Sequence, residues 1–432
     1  MRILVLGGYG LIGLAIVRRL QLLGYEVVGL GRSAETGRKA CPGVRWIAVD
    51  IARHTKAADW QEHLTGIDVV INAAGALQDG ARDNLELSQN KAMVALIDCA
   101  VSMGTKRFIQ ISAPGAVSDA STAFMRTKAA ADAHLRQSAL DWTILKPGLV
   151  IGAQAYGGTA LVRMLAGFPV VLPLIYGQAR IQTVSLEDVV ETTILSVQGK
   201  MPSQTEFDLV EPHPHTLRHV VESFRKWLGF PDALASIDVP GFVGSAVAKG
   251  ADLLGHLGWR SPLRSTAVKV ISEDVLGDPA PFRQAMGRDL RTLDETLLSL
   301  PATLQERWFS KLYLAMPIMV GTLSLFWLAS GLIGFLELEA ASAVLPPEIV
   351  SPAMATGFVV VGAIADILLG ILVLIRPWAK RACYGMILLT LGYLLAGTVL
   401  TPQLWLDPLG VFVKTLPAAL LAWVASLVLE DR

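Results

Sequence analysis

Seven residues near the N-terminus, Gly7-Gly8-Tyr9-Gly10-Leu11-Ile12-Gly13, carry the strongest chemical signal in the chain. They satisfy two glycine spacings at once, Gly8-x-Gly10-x-x-Gly13 and Gly7-x-x-Gly10-x-x-Gly13. The short apolar run Met1–Leu6 precedes them, and an apolar helical pattern (Leu14, Ile16, Val17, Leu20) follows. Strand, glycine turn and helix is the context a dinucleotide fingerprint requires. The glycines let the backbone turn tightly against a pyrophosphate, and the helix N-terminus offers N–H groups and the positive end of a dipole. Tyr9, Leu11 and Ile12 fill the variable positions of this cradle. Arg32, followed by Ser33, stands nineteen positions after Gly13, where an acid would meet the ribose 2′-hydroxyl of NAD(H). A guanidinium pairs with a 2′-phosphate through two charge-assisted hydrogen bonds, whereas a carboxylate repels it. The expected cofactor is therefore NADP(H), with NAD(H) as the alternative.

Two further groups of residues invite a chemical reading. His215 and His219, within Glu211–His219, have a metal-like i,i+4 spacing. Thr216, however, reads as the N-cap of a helix beginning at Leu217, which puts His215 in the turn before it, so no metal is assigned. Asp366 and Lys414 lie inside long apolar segments. Ionisable groups in hydrocarbon are costly, and the two are expected to face a helix-bundle interior as a pair; snorkelling is the alternative for Lys414.

The elements that must position these residues follow from composition and periodicity. The 432-residue chain is long enough for two or more domains. Hydrophobic residues make up 53% and mean hydropathy is +0.50, high for a wholly water-soluble enzyme. The formal net charge is zero, which gives no electrostatic case for nucleic acid as a partner. Three cysteines (Cys41, Cys99, Cys383), far apart and without a CxxC, argue against a disulfide scaffold, a zinc ribbon and a thioredoxin-type site. Only four apolar residues separate Arg2 from the glycines, too few for a secretory h-region. Strands are expected at 3–6, 26–30, 45–49, 69–72, 107–111 and 142–145, with helices between most of them, and again at 206–210. This is the α/β pattern of a doubly wound parallel sheet. The apolar stretch 161–175 reads either as the wall of a site for an apolar substrate or as plain core. The apolar stretch 243–257 reads either as a helix on a bilayer surface or as one packed under the nucleotide domain.

The excess hydrophobicity lies at the C-terminus, where four apolar segments, 312–335, 354–375, 382–400 and 409–429, have about the length that crosses a bilayer. The chain thus divides into a nucleotide-binding part (1–230, with substrate-part insertions from about 150), a connecting membrane-proximal part (231–310) and a four-helix transmembrane part (311–432). Arg307 and Lys311 precede the first span, and Arg376, Lys380 and Arg381 follow the second. The other two connections carry Glu337, Glu339 and Glu348, and Asp407. The positive-inside rule then puts the N-terminal domain and the C-terminus in the cytoplasm.

The residues assembled so far resemble an atypical member of the extended short-chain dehydrogenase/reductase superfamily, in the branch of the complex I accessory subunit and NmrA-like proteins. Gly7–Gly13 matches its fingerprint. Asp50-Ile51 resembles the pair that meets adenine, and Asn72-Ala73-Ala74-Gly75 resembles the turn beneath the cofactor. Asn90 resembles the helix-four Asn, Gln110–Ala113 ends the fifth strand, and Lys146-Pro147-Gly148 resembles the RPG turn. The segments 181–184 and 187–189 resemble the "QPVHVDDVA" stretch. The last 120 residues or so resemble the DoxX-like four-helix membrane family. This two-part arrangement implies a Rossmann-type sheet followed by a transmembrane bundle, in a multi-pass protein of the bacterial inner (plasma) membrane. The resemblance implies cofactor contacts from Gly7, Tyr9, Gly10, Leu11, Ile12, Gly13, Arg32, Ser33, Asp50, Ile51, Ala73, Ala74, Gly75, Lys128 and Pro147.

Catalysis is where the pattern departs from the superfamily. Its Tyr-x-x-x-Lys motif aligns with Phe124-Met125-Arg126-Thr127-Lys128, so Lys128 keeps its place and Phe124 replaces the proton donor. Ser112 matches the first residue of the usual Ser-Ser pair, and Ala113 stands at the second. Three accounts follow. An enzyme takes its proton from Lys128 or from Tyr156 in the glycine-rich loop 152–158; or the protein is a non-catalytic NADP(H)-binding module of a membrane complex; or it reduces a lipid or quinone presented by the membrane helices.

Overall fold

The computed structural model describes residues 1–80, 83–259, 261, 263–408 and 410–429. The chain divides into two compact units. One comprises Met1–Asp252 and Ser261–Arg307; the other comprises Leu253–Arg260 and Trp308–Arg432.

The first unit is built on a parallel seven-stranded sheet. Its first six strands are β1 (Arg2–Leu6), β2 (Glu26–Gly31), β3 (Arg45–Ala48), β4 (Val69–Asn72), β5 (Arg107–Ile111) and β6 (Asp141–Pro147). The spatial order, starting from the seventh strand Thr205–Leu209, is Thr205–Leu209, β6, β5, β4, β1, β2, β3. Every expected strand is present. Both faces are covered, so the strands are continuous apolar runs rather than alternating ones. Ile3 and Val5 enter one core with Ile16, Val17 and Leu20 of α1 (Leu11–Leu22). Leu4 and Leu6 enter the other with Trp60, Leu96 and Phe108. Fully burying each such aliphatic side chain contributes about 1.5–3 kcal/mol. The chain winds outward from β1 through β2 to β3, then returns to place β4 on β1's other side. This reversal opens a crevice beyond the carboxyl ends of β1 and β4, where open α/β sheets bind ligands.

Residues 161–175 form the end of the helix Gly157–Ala166 and the strand Val171–Leu174. Val162, Ala166, Leu172 and Leu174 pack in a third core with Leu217, Val220 and Phe224. The core reading of this stretch holds, and its apolarity carries no information about a substrate. The expected connecting region also differs from the simple picture. Residues 261–307 cluster with the sheet, while 253–260 cluster with the apolar helices. Leu293 and Leu297 explain the former, since both are buried in the third core.

The second unit contains the apolar helix Leu304–Leu336 from Trp308 onward, and the helices Pro352–Leu372, Arg376–Leu400 and Thr415–Val428. The first three are long and apolar enough to cross a membrane. The fourth has 14 residues, shorter than the expected span 409–429, whose first residue lies outside the described residues. The break has a local cause: Gly410 takes a left-handed φ of +64° and Lys414 is the N-cap of the last helix. Asp366 does not pair with Lys414. It accepts hydrogen bonds from Ser330 Oγ (2.6 Å) and Tyr393 OH (2.9 Å), while Lys414 is exposed at the helix start. Glycines make this possible. A Cβ at Gly331 would lie 2.6 Å from Ala363 O, and one at Gly362 would lie 2.8 Å from the Tyr393 hydroxyl. Small residues let the helices approach until neutral hydroxyls reach the carboxylate, which makes the distant lysine unnecessary.

Candidate nucleotide site and acid–base corner

The glycine turn joins β1 to α1 at the crevice. Gly7 has φ +66°, and a Cβ there would lie 2.8 Å from Ala73 O and from Ala74 Cα. A Cβ at Gly13 would lie 2.2 Å from Gly7 O, so only glycine lets the helix pack on its own turn. Gly10 is the N-cap of α1; no side chain caps the helix, and its first turn holds no acidic residue. The backbone N–H groups of Leu11 and Ile12 therefore begin an uncapped positive helix end, which suits a pyrophosphate.

The second wall is the turn after β4. Asn72 Nδ2 donates to Gln110 Oε1 at 2.9 Å, and Asn72 Oδ1 accepts from Ala74 N–H at 3.0 Å. These bonds hold Ala73, Ala74 and Gly75 against Gly7. After β2, Tyr9 covers Gly31, where a Cβ would be 2.3 Å from the ring, and the Tyr9 hydroxyl accepts from Ser33 N–H at 3.3 Å. Ser33 Oγ in turn accepts from Thr36 N–H, capping the next helix. Asp50 caps the short turn Ile51–Arg53 by accepting from Ala52 N–H at 3.3 Å. Pro147 ends β6, buried beside Leu209. Arg32 forms a 2.9 Å ion pair with Asp83, a residue that sequence reasoning missed. No local pattern announces it, because the two are 51 positions apart.

The acid–base corner is built on the helix Ala123–Arg136, capped by Thr122 Oγ1 accepting from Met125 N–H. Lys128 is buried, and its Nζ donates to Ile111 O at 2.9 Å. The ammonium lies 5.7 Å from the centre of the Phe124 ring, one helical turn away. A Cβ at Gly75 would be 3.7 Å from Lys128 Nζ, so the amine reaches the cofactor turn. Burial lowers the Lys128 proton affinity, and the nearby Asp132 partly restores it. Asp132 is fully buried and accepts a short hydrogen bond from Ser112 Oγ. Burial pushes its carboxyl upward, against the opposing pull of Ser112 and Lys128. The Ser112 hydroxyl is thus committed to Asp132. Asp132 was also missed, although it sits four residues after Lys128, the spacing that places both on one helix face.

Among the described residues Tyr156 forms no side-chain hydrogen bond into this corner; it is the N-cap residue of the helix Gly157–Ala166. Its side chain is half exposed, and its N–H donates to Thr159 Oγ1 at 3.3 Å in the first turn of its own helix. Asn90 bonds Glu86 Oε1 at 2.9 Å within the π-helical segment Glu86–Lys91. Lys146 pairs with Glu206 at 2.9 Å. Thr216 Oγ1 accepts from His219 N–H as the expected cap, and His215 Nε2 meets Glu211 Oε2 at 3.0 Å.

Comparison with known proteins accords with this geometry. Residues 7–163 match a family described as NAD(P)H-binding, and residues 324–423 match the DoxX-like family. The chain is 34% identical over 149 residues to the photosystem II assembly factor Ycf39 of Synechocystis sp., a match covering 34% of this chain and 44% of that protein. It is 26% identical over 186 residues to an uncharacterized chloroplast protein of Arabidopsis thaliana, covering 41% of this chain and 60% of the relative. The chain therefore spans between 44% and 60% of these relatives' lengths. The solved structure of the enzyme WbmG from Bordetella bronchiseptica, in complex with NAD, has a TM-score of 0.53 at 19% identity. That match covers 72% of this chain and 96% of WbmG. At that identity the likeness establishes the fold. The N-terminal part has a Rossmann-type fold and resembles NAD(P)H-binding proteins, and the C-terminal part resembles the DoxX-like family and contains three helices long and apolar enough to cross a membrane.

Proposed function

We propose that the protein is a membrane-anchored, NADPH-dependent reductase of an apolar substrate, lipid- or quinone-like, in which Lys128 replaces tyrosine as the proton donor. The single observation that carries this reading is the placement of Lys128 Nζ, buried and lowered in proton affinity, next to the cofactor turn at Gly75. Bound NADPH supplies a hydride. The chain's own part is to hold the pyrophosphate on the Gly7–Gly13 turn and α1, to carry a proton at Lys128 Nζ, and to exclude water with Phe124. The 2′-phosphate would take Arg32, in competition with Asp83. A lysine with lowered proton affinity is a better acid near neutrality than a free one. The apolar nature of the substrate rests on the membrane tether alone, since residues 161–175 belong to the core.

The Ser112–Asp132 bond favours a second reading. With Ser112 committed and Phe124 in place of a phenol, the corner lacks the usual carbonyl-polarising groups. A non-catalytic NADP(H)-binding module of a membrane complex would need none, and the Synechocystis relative, a photosystem II assembly factor, has a role of that kind.

We infer the orientation, with the nucleotide domain in the cytoplasm, from the charge asymmetry of the connecting loops, and the bacterial inner membrane from the resemblance to the DoxX-like family. Reporter fusions after Glu339 should read periplasmic and fusions after Lys380 cytoplasmic; a cytoplasmic signal at Glu339 overturns this orientation. The functional test is NADPH oxidation by purified protein in lipid with a panel of quinones and lipid carbonyls. Turnover that Lys128→Ala abolishes and Tyr156→Phe spares supports the Lys128 reductase. Loss with Tyr156→Phe alone moves the proton to Tyr156. Tight NADPH binding without turnover across the panel supports the binding module.

A further inference from the structure

We propose that residues 264–274 form a latched strap across the acid–base end of the nucleotide crevice, and that cofactor enters and leaves only when the latch releases. The strap contains the helix Ser265–Ser272, and every residue of the latch belongs to the unit built on the sheet. One end is tied to the loop that follows the cofactor turn Ala73-Ala74-Gly75. Arg264 Nη2 donates to Asp79 O at 2.9 Å, and Thr266 N–H donates to Gln78 Oε1 at 3.4 Å. Asp252 Oδ1 gathers this end, accepting from Gln78 Nε2 at 2.9 Å and from Arg264 Nε and Ser265 N–H, each at 3.3 Å. The other wall of the crevice is the helix Ala123–Arg136, and the strap reaches the loop just before it. Lys269 Nζ donates to Ser121 O at 3.3 Å, and Ser121 Oγ donates to Glu273 Oε2 at 2.6 Å. Gln78 stands three positions after Gly75, and Ser121 three before Phe124. The strap therefore bridges the two walls between which Lys128 Nζ approaches Gly75.

The strap is loose along its length and fixed at one end. The helix Ser265–Ser272 has 8 residues and none of them is buried; Ile271 rests against the edge of the third core. Polar contacts that face solvent hold the rest. Segments with few buried apolar contacts open locally, without global unfolding. Just beyond the helix the chain is tied down. Asp274 takes a left-handed φ of +63°, and its carboxylate accepts from Arg180 N–H at 2.7 Å and from Arg180 Nε at 3.0 Å. Val275 N–H donates to Arg180 O at 2.8 Å, and Gln182 N–H donates to Val275 O at 3.0 Å. A residue between a loosely held helix and a bonded strand end is where a hinge sits. Asp274 is that hinge, and the Arg264 end is the latch that lets go. This assignment rests on the nucleotide-site reading but not on turnover, since no strap residue is given a cofactor contact or a chemical role.

The test uses the purified full-length protein, with NADPH as the probe and its fluorescence followed by stopped flow. Arg264→Ala undoes the latch and leaves every assigned cofactor contact in place. Entry and exit both require release, so the association and dissociation rate constants should rise together by about ten-fold, the size expected for lost charge-assisted hydrogen bonds, while Kd stays within about three-fold. Lys269→Ala, which loosens an exposed contact on the opposite wall, should raise both rates by about two-fold. Unchanged rates in both variants overturn the proposal. So does faster dissociation alone with a matching rise in Kd, which makes Arg264 a direct cofactor contact. If the variants misfold, the wild type decides. Its observed association rate should level off at high NADPH as strap opening becomes limiting, and a linear rise throughout overturns the strap. A wild type that does not bind NADPH at all refutes the nucleotide-site reading and the strap together; tight binding with ungated rates refutes the strap alone.

Discussion

The nucleotide cradle and the acid–base corner lie at the same end of one sheet, yet they diverge in opposite ways. In the cradle, the positions are fixed by backbone clearance. Gly7, Gly13 and Gly31 each admit no Cβ without collision, against Ala73, Gly7 and Tyr9 respectively. In the corner, Phe124 stands one turn before the buried Lys128 on an uninterrupted helix, where its identity is free of any backbone constraint. Binding is written in the backbone and tolerates little change. Proton transfer is written in a few side-chain atoms and can be lost, or reassigned, without any cost to the fold. A likeness in fold therefore carries cofactor binding further than it carries reaction chemistry.

The comparison breaks first if the cradle tolerates a side chain. Gly13→Val forces a Cβ to within 2.2 Å of Gly7 O. NADPH affinity should fall by about 100-fold or more, roughly 2.7 kcal/mol, in a fluorescence titration. Retention of affinity within a few-fold would show that the turn is not the pyrophosphate site.

The corner should respond in the opposite sense, by gaining function. Phe124→Tyr places a phenol beside Lys128 and should raise NADPH oxidation with small ketones by roughly 10²-fold. Unchanged turnover with intact NADPH binding would mean that the pocket excludes a carbonyl. If Lys128 is the donor, the wild-type rate should decline as pH rises through the Lys128 proton affinity. Burial lowers that affinity, so the limb should lie below the ordinary lysine value of 10.5. The limb should be absent from residual activity in Lys128→Ala, and a limb that persists there belongs to another group.

Smaller effects belong to the adenosine end. NADPH should bind at least about ten-fold more tightly than NADH, or 1.4 kcal/mol, and Arg32→Asp should reverse the order. Equal affinities in the wild type remove Arg32 from the site. Asp83→Asn should strengthen NADPH binding by a few-fold and leave NADH nearly unchanged, because an exposed ion pair is worth about 1 kcal/mol or less. Calorimetry on both cofactors decides, and weaker NADPH binding in that variant would make Asp83 a support for Arg32 rather than its competitor.

Much of this molecule was legible from local pattern. The six N-terminal strands, the glycine turn, the Thr216 cap and the positions of the apolar helices each depend on residues within a dozen or so positions of one another. Periodicity, propensity and turn chemistry report that range directly. What the linear order hid were partners brought together across the chain. Asp83 meets Arg32, Ser112 meets Asp132, and Asp366 takes Ser330 and Tyr393 in place of Lys414.

The sequence by itself determined the architecture, the cofactor class and the membrane character, because hydrophobic period and glycine spacing act through the backbone nearby. Only the tertiary structure decided which ionisable groups face one another, that residues 161–175 are core, and that the last apolar segment is a 14-residue helix. Those outcomes depend on how closely helices and strands approach. That distance is set by small residues on two separate elements at once, such as Gly331 against Ala363 and Gly362 against Tyr393.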